Sequence, residues 1–179
     1  MTTISLVMIV KNEERILERC VESVRPIIDE FIIVDTGSTD GTRETINRYG
    51  ALYELPFTNF VDTKNAALAL ATGEYVLFMD ADELVISGLE FLKEHAETGT
   101  ECVLAQIVEG AGSNVYFRAR LWRNTSGIVS SGRGSTRCWR VTAVRSPTTV
   151  FRSSTTTLIE PMRATSRGST STWLSLAII

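Results

Sequence analysis

Two aspartates, Asp80 and Asp82, stand two residues apart in the run F-M-D-A-D-E-L, with the small Ala81 between them. In an extended segment both side chains would point to the same side and share one target. Two carboxylates so placed repel each other, so a divalent cation joined to a diphosphate would explain their position after an apolar run. Oxygen ligands of this type favour Mg²⁺ or Mn²⁺ over zinc. The pattern is short, and a pair of acidic turn residues capping a following helix, with Glu83 contributing, accounts for it equally well. A further carboxylate, Asp35, ends the apolar run I-I-V and precedes Thr36, Gly37, Ser38 and Thr39. There it can accept from a nucleobase N–H or a ribose hydroxyl, or it can close a plain Asx-type turn. Thr36 and Ser38 read as turn residues rather than ligands.

These residues need elements to hold them. Ile4 to Val10 is apolar on both faces, as a central parallel strand requires, and Asn12 to Val24 places Ile16, Leu17, Cys20, Val21 and Val24 at helical spacing. Phe31 to Val34 reads as a second buried strand, followed by a helix that Asp40 caps and Gly50 stops. Ala51 to Leu55 gives a third strand, Asp62 to Ala71 a helix ended by Gly73, and Tyr75 to Met79 a fourth strand. Ser87 is placed to cap a helix reaching Glu97, with Gly99 as terminator. Glu101 to Val108 and Asn114 to Trp122 follow as strands. Alternation of this kind predicts an α/β fold with a mainly parallel sheet, whose ligand site lies beyond the carboxyl ends of the strands. Asp35 and Asp80 both stand at such ends.

Composition narrows the class. A chain of 179 residues suits one domain with a genuine core. The first apolar run is one strand long and meets Lys11, Glu13, Glu14 and Arg15, so no targeting signal is expected. Nothing approaches the roughly 20 apolar residues of a membrane span, so any membrane contact is expected to be peripheral. Cys20, Cys102 and Cys138 lack disulfide or zinc spacing, which suits a reducing cytoplasm. The only histidine, His95, lies in a helical pattern and reads as an ordinary surface residue.

The net charge of −3 conceals a division: about −9 up to Arg123 and about +6 from Asn124 onward. Residues 124–179 contain no Asp, no Lys, one Glu (Glu160) and 22 Ser or Thr. The expected organisation is therefore an ordered domain over 1–123 and an atypical, irregular Ser/Thr/Arg-rich tail over 124–179. Trp139, Trp173 and the apolar end fit neither a linker nor a nucleic-acid arm, and no nucleic-acid partner is expected. The tail reads as the product of a shifted reading frame or altered coding sequence. Sequencing the encoding DNA tests this, and an intact frame shared with relatives would overturn it.

Four segments in order, S-L-V-M-I-V-K-N-E-E (Ser5 to Glu14), I-I-V-D-T-G-S-T-D-G-T (Ile32 to Thr42), K-N-A-A-L (Lys64 to Leu68) and G-E-Y-V-L-F-M-D-A-D-E (Gly73 to Glu83), resemble the family 2 glycosyltransferases of the GT-A fold. The resemblance runs from Ile4 to about Arg123. It is nearest to the branch with bacterial lipopolysaccharide-core β-glucosyltransferases and enzymes with helical-repeat extensions. It implies a GT-A, Rossmann-like sheet flanked by helices, a UDP-sugar donor, a Mn²⁺ or Mg²⁺ cofactor, and a glycan or lipid-linked acceptor. It implies that Asp35 contacts the uracil or ribose, Asp80 the ribose side, and Asp82 the metal. Glu13 and Lys64 match positions lining the nucleotide pocket. A cation at Lys64 offsets an anionic donor, although a lone Lys on an Ala-rich helix can simply be solvated. Asn65 either bonds the donor or caps its local turn.

The resemblance also implies transfer with inversion, in bacterial cell-envelope glycan synthesis at the inner face of the membrane. Inversion needs a general base on the acceptor side, usually a carboxylate, and the tail offers only Glu160. The base is therefore not identified, and a catalytically weak UDP- and metal-binding module is the alternative. Arg118, Arg120 and Arg123 are either phosphate or acceptor contacts, or alternating residues on an exposed strand face. A haloacid-dehalogenase-type phosphatase, suggested by D-A-D-E-L, fits poorly because its nucleophile belongs on the first strand. Dinucleotide binding is disfavoured by the missing G-x-G-x-x-G.

Overall fold

The computed structural model describes residues 1–109, 114–124, 129–131, 135–137 and 144–153, with side chains described for 1–108 and 117–124. The elements are β1 (Ile4–Val10), α1 (Leu17–Val24), a 3-10 turn (Arg25–Ile27), β2 (Glu30–Asp35), α2 (Thr42–Asn47), β3 (Leu52–Glu54), α3 (Phe60–Leu68), β4 (Tyr75–Phe78), β5 (Glu83–Ser87) and α4 (Leu89–Glu97), then β6 (Cys102–Glu109), β7 (Asn114–Arg123), β8 (Val129–Ser131), β9 (Ser135–Arg137) and β10 (Val144–Ser153). One sheet has the order β3-β2-β1-β4-β7-β6-β10-β5, and β8 pairs with β9. Strands β1 to β4 are mutually parallel. Strand β7 runs antiparallel to β4 and β6. This is the mainly parallel α/β sheet expected, with an antiparallel strand inserted beside β4.

Strand β1 is central because its residues bury both ways. Leu6, Met8 and Val10 pack with Leu17, Cys20, Val21 and Val24 of α1, while Val7 packs with Ala67 of α3 and Trp122 of β7. Helices therefore cover both faces, as parallel strands buried on both sides require. Among the described residues no helix is long and apolar enough to cross a membrane. Cys20 and Cys102 are buried, and Cys138 lies outside the described residues, as do Trp139, Glu160 and Trp173.

Several expected boundaries shift for physical reasons. The first helix begins at Leu17, not Asn12, because Asn12 takes a left-handed φ of 57° and turns the chain. The third helix runs Phe60–Leu68, capped by the Asn59 carboxamide, which accepts from the Asp62 amide. Gly73 does not terminate it. Ser87 is not the N-cap of the next helix: it ends β5, a strand the sequence reading missed, and Gly88 with φ 74° takes the cap position of α4. The stop at Gly50 holds, with φ 64° there and its amide bonded to the Asn47 carbonyl.

Candidate functional site

Because β1, β2 and β4 are parallel, their carboxyl ends open on one edge of the sheet, where Val10 lies opposite Asp35. The Asp35 carboxylate is buried, accepts from the Gly37 amide at 3.2 Å and the Ser38 amide at 3.1 Å, and pairs with Arg43 Nε at 3.4 Å. The Asx-type turn is thus real. It also borders an open cleft of about 440 Å³ whose walls include Thr36, Gly37, Arg43, Glu54, Leu55 and Pro56. Arg43 bridges Asp35 to Glu54 across it. Thr36 and Ser38 act as turn residues, since Thr36 Oγ1 donates to the Val10 carbonyl and Ser38 Oγ accepts from the Asn12 amide. The same tie continues where Asn12 Oδ1 accepts from the Thr39 amide and Thr42 Oγ1 from the Glu13 amide, locking the loops after β1 and β2 together.

The Asp80 segment is not extended. The Glu83 amide donates to the Asp80 carbonyl at 3.1 Å, and the Asp80 amide donates to Glu83 Oε2 at 3.2 Å, so residues 80–83 form a turn closed by both backbone and side chain. A turn, rather than strand alternation, sets the directions of the two aspartates. Asp82 stands exposed at its corner, and the Asp80 side chain is about half exposed. Cys20 Sγ lies 3.5 Å from the Asp80 carbonyl behind the turn.

Glu83 does not cap a helix. It is buried against Arg120, whose Nη2 also donates to Asp80 at 3.1 Å. Burial pushes the Glu83 carboxyl up to about 7, against the lowering effect of Arg120. Arg120 is therefore no member of an exposed strand face: it is 2% exposed. Arg118 is exposed, and Arg123 pairs with Glu74 and Glu101 away from the aspartates. Sequence reasoning missed the Glu83–Arg120 pair because strict alternation puts Arg118 and Arg120 on one face, whereas the strand is irregular between them and the sheet's end.

The remaining expected residues converge on this edge to different degrees. Burial raises the Glu13 carboxyl, and the nearby charges of Asp82 and Asp40 raise it further. Lys64 on α3 holds its ammonium 3.6 Å from the centroid of the Phe78 ring. Burial drives it down to about 8, the Arg120 and Arg118 charges add to that, and Asp80 and Glu83 oppose it. The cation is thus desolvated beside the carboxylates rather than solvated. Asn65 is half-buried inside α3, so it is not the cap of its helix; Asn59 is.

Among the described residues, no three His, Cys, Asp or Glu side chains form a group able to hold a metal ion alone. One or two solvent-facing carboxylates suit a hard divalent cation that takes its other ligands from a diphosphate and water. The residues fit Mn²⁺ or Mg²⁺ in that way, with Asp82 as the exposed donor.

In open, mainly parallel α/β sheets ligands bind beyond the carboxyl ends of the strands, which is where these carboxylates gather. The chain belongs to glycosyl transferase family 2, which it matches over residues 5–159. It is 36% identical over 136 residues to a TPR repeat-containing protein of Synechococcus elongatus, covering 72% of this chain and 33% of that one. It is 40% identical over 81 residues to an uncharacterized glycosyltransferase of Rickettsia conorii, covering 45% of this chain and 29% of that one. Among solved structures, TarS of S. aureus, residues 1–349, shares the fold with a TM-score of 0.56 at 20% identity, over 68% of this chain and 47% of that one. The chain thus spans about a third of the length of the curated relatives it matches. Family membership, together with Asp80 lying after the fourth strand instead of the first, removes the phosphatase reading.

Proposed function

We propose that residues 1–123 form the donor-binding half of a glycosyltransferase that takes a sugar from a UDP-sugar and passes it, with inversion, to a hydroxyl of a glycan or lipid-linked acceptor. One observation carries the reading: the parallel strands β2 and β4 deliver the Asp35 cleft and the Asp80–Asp82 turn to the same edge, with desolvated Lys64 beside the turn. Asp35 accepts from the uracil or ribose at the cleft, whose Leu55 and Pro56 walls suit a flat base. Asp80 faces the ribose, and Asp82 with Glu13 behind it holds Mn²⁺ or Mg²⁺. Lys64 offsets the diphosphate charge, and Asn65 contributes a carboxamide from the same helix. When bound, the metal stabilises the departing diphosphate. The chain's own residues orient the donor, and the acceptor proton leaves through a base outside this set. The reaction belongs to the cytoplasm, at most peripherally at the inner membrane face, in bacterial cell-envelope glycan synthesis.

Titrating UDP and other nucleoside diphosphates with and without Mn²⁺ tests this. UDP is expected to bind most tightly, and only with Mn²⁺ at full affinity. Absence of UDP binding in a folded sample, or binding indifferent to metal, would falsify the donor-site assignment.

A further inference from the structure

The ladder between β6 and β7 is irregular at one point: Val103 pairs with Leu121, but the next residue, Leu104, pairs with Ala119. Arg120 is the extra residue of a bulge. Its effect shows in the packing, where Ala119 and Trp122 belong to one apolar cluster although three apart, while Leu121 belongs to the other. A bulge of this kind bends the strand and re-aims a side chain. Here it sends a buried guanidinium to the Asp80 turn, where Nη2 donates to both Asp80 and Glu83. Its Nε has no hydrogen-bond partner among the described residues. Glu83 in turn fixes the Asp80 amide.

Stability does not account for this arrangement. Burying two ions costs several kcal/mol each, and a well-packed apolar pair of similar volume often serves the fold as well or better. What the pair supplies is geometry and charge at a turn that carries two more carboxylates. We propose that Arg120, anchored by Glu83, is a positioning residue for the metal-dependent part of donor binding. It holds the Asp80–Glu83 turn closed so that Asp82 points outward, and it occupies Asp80 so that a cation engages the turn at Asp82. This rests on the donor-site reading above.

Mn²⁺ titrated in the presence of UDP, alongside UDP titrated without metal, tests the proposal on three proteins: the unsubstituted chain, Arg120→Lys, and the double variant Glu83→Met/Arg120→Met. The double variant removes both charges and leaves neither buried alone. Because Asp80 also faces the ribose, the double variant's metal-free UDP affinity is expected to fall, but only by about threefold, less than the tenfold that 1.4 kcal/mol represents. Its Mn²⁺ affinity is expected to fall roughly 10–100-fold, the usual loss when a group orienting a metal ligand is removed. Arg120→Lys keeps the charge but not the fork, and is expected to lie between the two. An undiminished Mn²⁺ affinity in the folded double variant would overturn the proposal while leaving the donor site standing. If that variant does not fold, Arg120→Lys decides alone: unchanged Mn²⁺ affinity overturns the proposal, and a selective loss supports it. Failure of the unsubstituted chain to bind UDP would sink the donor reading itself.

Discussion

Lys64 titrates not far above neutral pH, because burial lowers its ammonium to about 8 from 10.5. Between those values the unfolded chain holds a proton that the folded chain has released. The group's contribution to stability therefore rises with pH across that window, and its burial penalty is fully present below it. Binding follows the opposite course. A charge-assisted hydrogen bond contributes about 1.5–3 kcal/mol, or roughly tenfold or more in affinity. Metal-free UDP affinity is therefore expected to fall as pH rises from 7 to above 9, and Lys64→Met to flatten the profile. Calorimetric titrations at both pH values check this, and equal slopes in the two proteins would remove Lys64 from the diphosphate.

The two outer aspartates call for different substitutions. Asp82 is exposed, so Asp82→Ala should change stability by no more than about 0.5 kcal/mol while abolishing the Mn²⁺ dependence of UDP binding. Asp35 accepts two backbone amides and pairs with Arg43, so truncation to Ala would confound folding with binding. Asp35→Asn keeps an acceptor in place. It is expected to weaken UDP binding without metal, and an unchanged value would show that the carboxylate serves only its turn.

Strands and helices constrain the site through close approaches that periodicity does not encode. Gly73 reads in the sequence as a helix stop, yet its role lies elsewhere. A Cβ built on it would lie 2.5 Å from Ser5 Oγ and 3.0 Å from the Ser5 backbone nitrogen, and its own amide donates to Ser5 Oγ at 2.9 Å. The start of β4 presses on the start of β1, at the end of the sheet opposite Asp80. Overpacking of this kind usually costs about 1–3 kcal/mol. Gly73→Ala should accordingly lower the unfolding free energy by that amount, read as a lower urea midpoint at unchanged slope, with UDP affinity of the folded fraction unchanged; a midpoint equal to the original would show that β1 yields without strain. The strands β1, β2 and β4 were legible because each holds an apolar run between turn signals. β5 was not: E-L-V-I-S is short and, among the described residues, lies at the sheet edge and pairs only with β10, so nothing local distinguishes it from the approach to a helix. The Asp35 and Asp80 positions were legible as strand ends. The geometry of the Asp80 turn and the burial of Arg120 depend on a bulge and on a side chain 37 residues away, which no local window contains.

Binding and transfer make different demands on the whole chain. Ligand at about 100 times its Kd stabilises by roughly 2.7 kcal/mol, which for a chain of this size corresponds to about 5–10 °C in Tm. UDP with Mn²⁺ is expected to produce such a shift, and Asp82→Ala to remove the part that Mn²⁺ adds. Transfer additionally needs the acceptor oriented and its proton removed. Orientation can supply about 7–11 kcal/mol of the barrier and a general base typically 10²–10⁴-fold. Three of the carboxylates at this edge already have partners: Asp35 pairs with Arg43, and Glu83 and Asp80 with Arg120, while the donor-site proposal assigns Asp82 to the metal. Beyond Arg123 the sequence supplies a single carboxylate, Glu160. The chain is therefore expected to bind a UDP-sugar with metal while releasing UDP only slowly in the presence of acceptor glycans. Coupled assay of UDP release checks this. Rapid transfer by these 179 residues would refute it, and loss of that activity in Glu160→Gln would then identify Glu160 as the base.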